Sequence, residues 1–228
     1  MDEHLNEDDL LQLLFQAEEY EDALDALHPE DEVKPDLTKL KTLRFTFSKL
    51  AIVVGHTERN PGAKGISPIS NYEYFWNKRL AKLIQSFANS NDIECGIFFR
   101  DGVGIVGAYK KVVQWSPHSC VELHFNAYNG AVTGTETLYG LYDPSREWAQ
   151  NIQNLMVELY ERSGKLNRGI KKRAIGERGG KNVNQLENIP SCLIEPYFGD
   201  ASKDAFLADN YLNELAKSIV TAHKNSFG

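Results

Sequence analysis

The amino-acid sequence predicts an α/β fold, in which helices cover both faces of a largely parallel central sheet, preceded by a short acidic helical segment. From about residue 43 onward, apolar runs rich in β-branched and aromatic residues alternate with segments of helical periodicity. Strands that alternate with helices are typical of parallel sheets. The 228 residues, 42% of them hydrophobic, suffice for one substantial core but are few for two full domains. We therefore expect one main domain, residues 40–228.

The first 39 residues differ in composition from the rest of the chain. They contain 14 acidic and 2 basic residues, a formal charge of about −12, whereas the remainder carries about +5. Leu10, Leu14 and Leu24 lie at roughly helical spacing, which predicts one or two short amphipathic helices. His28-Pro29 and the mixed charges after it predict a linker. This segment packs on the main domain, masks its basic surface or binds a partner; the sequence leaves these alternatives open.

The main domain contains strand and helix patterns in alternation. Strands are predicted at residues 47–55, 96–100, 120–126, 134–142 and 191–197. Helices are predicted between them, at residues 70–89, 103–115, 145–163 and 203–224. Ligands of such sheets collect outside the carboxyl ends of the strands.

Four polar residues lie where these elements meet. His56, His124 and Glu195 each fall at or near the carboxyl end of a predicted strand, and Glu73 lies at the start of a predicted helix. Two imidazoles and one carboxylate are typical of a hydrolytic zinc site, because they leave zinc an open position for water, and a further carboxylate can act as the base. We predict His56, Glu73 and His124 as the ligands of a zinc ion (Zn²⁺) and Glu195 as the general base.

Two of these residues have alternative interpretations. Glu73 ends a Ser-Asn-Tyr-Glu string that is typical of a capping box. Its position on the same helical face as Trp76 and Leu80, however, directs it toward the core. His118 is a rival to His124, but it follows Ser-Pro and is expected in an exposed turn, whereas period-two alternation places His124 on the polar face of a strand.

The strings around these residues resemble a known family of enzymes. They are IVVGHTERN, SNYEYFWNKRLAKLI, VELHFNAYNG and CLIEPYFGD, and they are accompanied by FFR at residues 98–100, GTETLY at 134–139 and NRGIK at 167–171. In this order they resemble the zinc-dependent N-acetylmuramoyl-L-alanine amidases of the amidase 3 family, from about Leu50 to the C-terminus. Residues 57–62 depart from the Gly-rich stretch that follows the first histidine in the family.

The resemblance implies a phosphorylase/hydrolase-like fold and a catalytic domain that cuts bacterial peptidoglycan between N-acetylmuramic acid and L-alanine. It implies zinc ligands at His56, Glu73 and His124 and a base at Glu195, with Arg100, Asn126 and Glu136 in supporting roles. Three alternatives stay open: a zinc peptidase that cuts within the stem peptide, a catalytically silent wall-binding module, and an interaction protein that works through its acidic segment. Oligomeric state is not predicted.

Several other classes are disfavoured. Basic residues are not interleaved with a nucleic-acid-binding motif, and no apolar run approaches the roughly 20 residues that span a bilayer. The acidic start lacks the features of a secretory signal, so we expect a chain made in the cytoplasm that acts on the cell wall, such as a phage-type lysin released by a holin-like pore-forming partner. The three cysteines, Cys95, Cys120 and Cys192, are predicted as small buried hydrophobic residues.

Overall fold

The structure is a computed structural model that describes residues 48–228. The predicted acidic helices and linker of residues 1–39, and the predicted domain boundary near residue 40, lie outside this range. No helix among the described residues is long and apolar enough to cross a membrane.

One six-stranded sheet forms the centre of this part of the chain. Its strands are, in chain order, β1 (Ser48–Val54), β2 (Ile93–Phe99), β3 (Ser119–Leu123), β4 (Thr135–Tyr139), β5 (Asn167–Lys172) and β6 (Ser191–Glu195). They are arranged in the spatial order β2-β1-β3-β6-β4-β5. Every neighbouring pair is parallel except β4 and β6, which are antiparallel. The predicted α/β class with a largely parallel sheet is confirmed.

Four of the helices lie between strands along the chain, and the last two follow β6. They are α1 (Glu73–Asn89), α2 (Gly104–Trp115), α3 (Pro144–Leu159), α4 (Gly180–Val183), α5 (Ser202–Asn210) and α6 (Leu212–Phe227). The single helix predicted at residues 203–224 is wrong in one respect, because Tyr211 interrupts it with φ −112° and ψ 21°, outside the helical range.

Alternation along β1 distributes its side chains to the two faces of the sheet. Leu50, Ile52 and Val54 belong to the larger hydrophobic cluster, which includes residues of α1, α3 and α6. Ala51 and Val53 belong to a second cluster with residues of α2. Because both faces are covered, this strand is apolar from Leu50 to Val54 and could be recognised in the sequence.

The sequence interpretation missed one strand, β5. Its residues, Asn-Arg-Gly-Ile-Lys-Lys, are mostly polar and half-buried, since β5 is the edge strand beyond β4 and pairs on one side only. An edge strand with lysines is protected against pairing with other chains, but it lacks the apolar signal of a central strand.

The topology brings the functional residues to one edge of the sheet. β1, β3 and β6 run in the same direction, so their carboxyl ends lie together. His56 follows the end of β1, His124 follows the end of β3, and Glu195 is the last residue of β6. β4 runs the other way, and its beginning meets the end of β6, where Glu136 pairs with Glu195. The reversed strand thereby adds a carboxylate to the edge where the parallel strands end.

Candidate active site

His56 follows β1 by two residues and has a left-handed backbone, with φ 65°. The glycine before it, Gly55, provides space for a neighbouring side chain. A Cβ atom on Gly55 would lie 2.4 Å from both Cε1 and Nε2 of His124. Gly55 therefore leaves the space that the second imidazole occupies, and the turn itself is made by His56.

Glu73 is the first residue of α1, and its carboxylate is turned into the protein, with 3% of the residue exposed. The capping box that we considered does not form, because the helix has no side-chain cap. Instead, Oε1 lies 2.7 Å from His124 Nδ1, and Oε2 lies 3.1 Å from His56 Nε2. The backbone amides of Ala63 and Phe125 also donate to this carboxylate. Glu73 thus joins the two histidines.

His124 follows β3 directly and is 8% exposed. Its second ring nitrogen, Nε2, lies 3.2 Å from Glu122 Oε1. Glu122 is fully buried and accepts hydrogen bonds from the Tyr109 hydroxyl at 2.7 Å and from Arg100 Nη1 at 3.0 Å. This confirms the predicted polar face of the strand and gives Arg100 a supporting contact. A buried carboxylate behind a histidine fixes its ring orientation and leaves Nδ1 as the nitrogen that faces Glu73.

His118, the alternative to His124, lies outside this group of residues. His118 is exposed, and its Nδ1 accepts a hydrogen bond from the Lys49 backbone amide at 2.9 Å. It contributes no atom to the group that contains His124.

Charge in this group is strongly coupled. Burial disfavours charge on Glu73, but hydrogen bonds from His124 and His56 outweigh it and lower the pKa of Glu73 to about 2. Burial likewise opposes the charged form of His124, but hydrogen bonds to Glu122 and Glu73 raise the pKa of His124 to about 10. The carboxylates of Glu122 and Glu73 therefore favour the protonated imidazole of His124. The site between the two carboxylates thus favours a positive charge.

The three predicted ligands fit a metal ion. Among residues 48–228, His56, Glu73 and His124 form the group of His, Cys, Asp or Glu side chains whose ligand atoms converge, all within 4.8 Å of one another. Two imidazole nitrogens and one carboxylate oxygen are the donor set of hydrolytic zinc sites. Because metal ligands must be deprotonated, a bound cation would displace the proton that His124 carries.

Glu195 ends β6 beside this group and lines the same cavity, which has a volume of about 430 Å³. Its Oε1 accepts a hydrogen bond from Arg178 Nη2 at 2.9 Å. Its Oε2 is buried and has no hydrogen-bond partner among residues 48–228. Burial is the largest influence and raises the pKa of Glu195 to about 7, although the charges of His124 and Arg178 act in the opposite direction.

Arg178 was missed in the sequence. It lies in a turn-rich segment, AIGERGG, that has no periodic pattern, and its contacts with Glu195 and Asn126 are visible only in three dimensions. The three cysteines are free and buried, as predicted.

Comparison with known proteins identifies the family. The family model described as N-acetylmuramoyl-L-alanine amidase, amidase 3, matches residues 50–225. The chain belongs to the amidase 3 family. This confirms the resemblance found in the sequence. A search of curated proteins found no match.

Solved structures show the same fold at low sequence identity. The catalytic domain of CwlV, an N-acetylmuramoyl-L-alanine amidase from Bacillus (Paenibacillus) polymyxa var. colistinus, is 22% identical with a TM-score of 0.67, covering 78% of this chain and 97% of the other. An N-acetylmuramoyl-L-alanine amidase from Clostridium difficile 630 is 22% identical with a TM-score of 0.65, covering 80% and 100%. The catalytic domain of the CD27L endolysin, which targets Clostridia difficile, is 23% identical with a TM-score of 0.62, covering 78% and 97%.

Family membership defines the activity of this amidase as cell-wall hydrolysis at the bond between N-acetylmuramic acid and L-alanine. The site is consistent with that reaction, because an open cavity adjoins a His-Glu-His cluster and a buried carboxylate. The amidase therefore has the groups that water-dependent cleavage of an amide requires.

Proposed function

We propose that this amidase hydrolyses the lactyl amide of peptidoglycan with a zinc ion held by His56, Glu73 and His124 and with Glu195 as the general base. The observation that carries the proposal is the convergence of three ligand atoms within 4.8 Å in the cavity that Glu195 also lines. A zinc ion in such a site polarises a carbonyl group and lowers the pKa of water from about 16 to about 7.

Glu195 moves the proton. Its Oε2 takes a proton from the attacking water and then delivers it to the departing nitrogen of L-alanine. The water oxygen becomes part of a new carboxyl group on the lactyl ether of the sugar. A carboxylate whose pKa is near 7 suits both steps at neutral pH, because neither its charged nor its neutral form is strongly favoured.

Glu122 orients one ligand. It holds Nε2 of His124 at 3.2 Å and is itself fixed by Tyr109, Arg100 and Asn182. This arrangement presents Nδ1 to the cluster and increases the basicity of the imidazole, as carboxylates behind metal-bound histidines do.

The substrate is peptidoglycan, as for the family. The apolar lining of the cavity, including Phe125, Leu138 and Leu193, lies beside the charged cluster, which suits an amide flanked by apolar groups. The expected release of a phage-type lysin by a pore-forming partner stays a prediction.

Mass spectrometry of peptidoglycan fragments tests the proposal. Purified peptidoglycan is digested with the protein as prepared, after chelation, and after chelation followed by zinc. We expect free L-alanine amino groups and lactyl carboxylates from the first and third samples only. Products that keep L-alanine on the sugar would instead identify a stem-peptide peptidase, and chelator-insensitive cleavage would refute a metal.

The matched control is Glu195→Gln, which keeps the shape of the side chain. We expect it to bind about one zinc per chain and to lose at least about a hundredfold in rate, the usual scale for a missing general base. If this variant released its zinc, Glu195 would be a ligand and the base would lie elsewhere.

A further inference from the structure

An arginine holds the carboxylate of the proposed base. Arg178 Nη2 donates to Glu195 Oε1 at 2.9 Å. The two side chains differ in environment, since 64% of the arginine side chain is exposed but only 6% of the glutamate side chain. One carboxylate oxygen is therefore occupied, and Oε2, which has no hydrogen-bond partner among residues 48–228, is left for the reaction.

The backbone that carries Arg178 is closed by local hydrogen bonds. The Ala174 amide donates to Glu177 Oε2 at 2.6 Å, and the Gly180 amide donates to the Glu177 carbonyl at 2.9 Å. Gly179, next to Arg178, has a φ of 77°, a conformation that glycine adopts readily. The turn therefore fixes the backbone position from which the Arg178 side chain extends.

Asn126 accepts a second hydrogen bond from the same guanidinium nitrogen. The same Arg178 Nη2 donates to Asn126 Oδ1 at 2.9 Å, and Asn126 is 3% exposed. The Asn126 Nδ2 group donates to Glu136 Oε1 at 3.0 Å. Because only the amide nitrogen can donate to a carboxylate, this contact turns the amide oxygen toward Arg178. The orientation of Asn126 is thus determined by Glu136.

Glu136 is anchored in turn. It is 2% exposed and accepts hydrogen bonds from Arg168 Nε at 2.8 Å and from Lys171. It also faces Glu195 across the antiparallel pair of β4 and β6. Two carboxylates at paired positions repel each other, so the cations of β5 and Arg178 balance the charge at the end of the sheet.

We propose that Arg178 is a positioning residue for Glu195, held in place by Asn126 and Glu136. The proposal rests on the proposed function of Glu195 as general base. Because the arginine of this pair is mostly exposed to solvent, the ion pair contributes little to stability, so the contact is expected to matter for orientation. A network that fixes Oε1 selects one rotamer of the glutamate and keeps Oε2 available for proton transfer.

The test compares Arg178→Met with Lys172→Met. Both remove one positive charge, but Lys172 is an exposed residue of β5 that pairs with Tyr139, at the end of β4 opposite to Glu136. We expect Arg178→Met to lower kcat about tenfold to a hundredfold with little change in KM, the range seen when an orienting partner is removed. Zinc content and melting temperature should match the wild type, and Lys172→Met should keep wild-type kcat.

The pH profile gives a second readout. Arg178 lowers the pKa of Glu195, together with His124, while burial, Glu73 and Glu136 raise it. Loss of the guanidinium should therefore move the acid limb of kcat/KM to higher pH. Arg178→Lys should restore the position of this limb without restoring full kcat, because an ammonium keeps the charge but is carried on a flexible stem with freely rotating donors.

Combination with Glu195→Gln separates positioning from substrate binding. If Arg178 acts through Glu195, Arg178→Met should cause no further loss in the Glu195→Gln protein. A further loss there, a rise in KM with unchanged kcat, or wild-type kinetics and pH profile in Arg178→Met would each overturn the proposal. Full activity of Glu195→Gln alone would instead refute the general base, and with it the proposed function.

Discussion

Gly55→Ala is the substitution whose effect follows most directly from the structure. The added Cβ would lie 2.4 Å from Cε1 and Nε2 of His124 and 2.5 Å from the Leu123 carbonyl oxygen, whereas ordinary contact begins at 3.4 Å. The carbonyl cannot easily retreat, because it accepts hydrogen bonds from the Gly55 amide and from Asn77 Nδ2. We therefore expect the imidazole to move by about 1 Å, since a clash of this size must be relieved by the more mobile group.

The expected magnitude has two parts. Overpacking at a buried site costs about 1–3 kcal/mol, and this part should appear in the metal-free protein. Zinc sites tolerate deviations of only about 0.2 Å in ligand distance, so zinc affinity should fall by about a hundredfold or more. That loss is worth about 2.7 kcal/mol of additional stability in the zinc-bound protein.

The assay is competition for zinc with a chromogenic chelator, together with urea unfolding with and without zinc. Gly164→Ala is the matched control: its Cβ would meet no atom of residues 48–228 within 4 Å, but its φ of 53° makes alanine strained there. We expect it to lose stability equally with and without zinc and to keep zinc affinity. Wild-type zinc affinity in Gly55→Ala would refute the argument that His124 needs this space to act as a ligand.

Three further changes have defined outcomes. Glu122→Gln should weaken zinc binding about tenfold to a hundredfold in chelator competition, and unchanged affinity would show that Glu122 is structural only. His56→Ala should lose zinc while the fold survives, since the core consists of sheet and helices, and elemental analysis with circular dichroism checks this. Burial raises the pKa of Glu195 from 4.5 to about 7, so the folded metal-free protein binds this proton more tightly than the unfolded chain does. The free energy of unfolding of the metal-free protein should therefore fall as pH rises from about 4.5 to 7. Glu195→Gln should remove that slope and gain up to about 3 kcal/mol at pH 8 in urea unfolding, whereas curves parallel to the wild type would contradict it.

Patterns of local sequence were sufficient for most of the architecture. β6 is buried along its whole length, and β1 is buried from Leu50 to Val54, so their apolar runs predicted strands. β5 was missed because an edge strand buries little. The reversed direction of β4 was also beyond the sequence, since apolar content is the same for either direction of a strand.

What the sequence determined by itself was the set of chemical groups and their topological positions. His56, His124 and Glu195 could be placed at strand ends because hydrophobic runs stop there, and the family resemblance added their order. The spacing of apolar residues in a short segment indicates which of its side chains are buried and where the segment ends.

Only the tertiary structure decided how those groups meet. It decided that Glu73 contacts both histidines and does not cap its helix, that Glu122 lies behind His124, and that Arg178 reaches Glu195. These contacts join residues from separate elements, 51 positions apart for Glu73 and His124 and 17 for Arg178 and Glu195. Their geometry depends on the packing of the whole sheet edge, including the space at Gly55, and no local pattern encodes that packing.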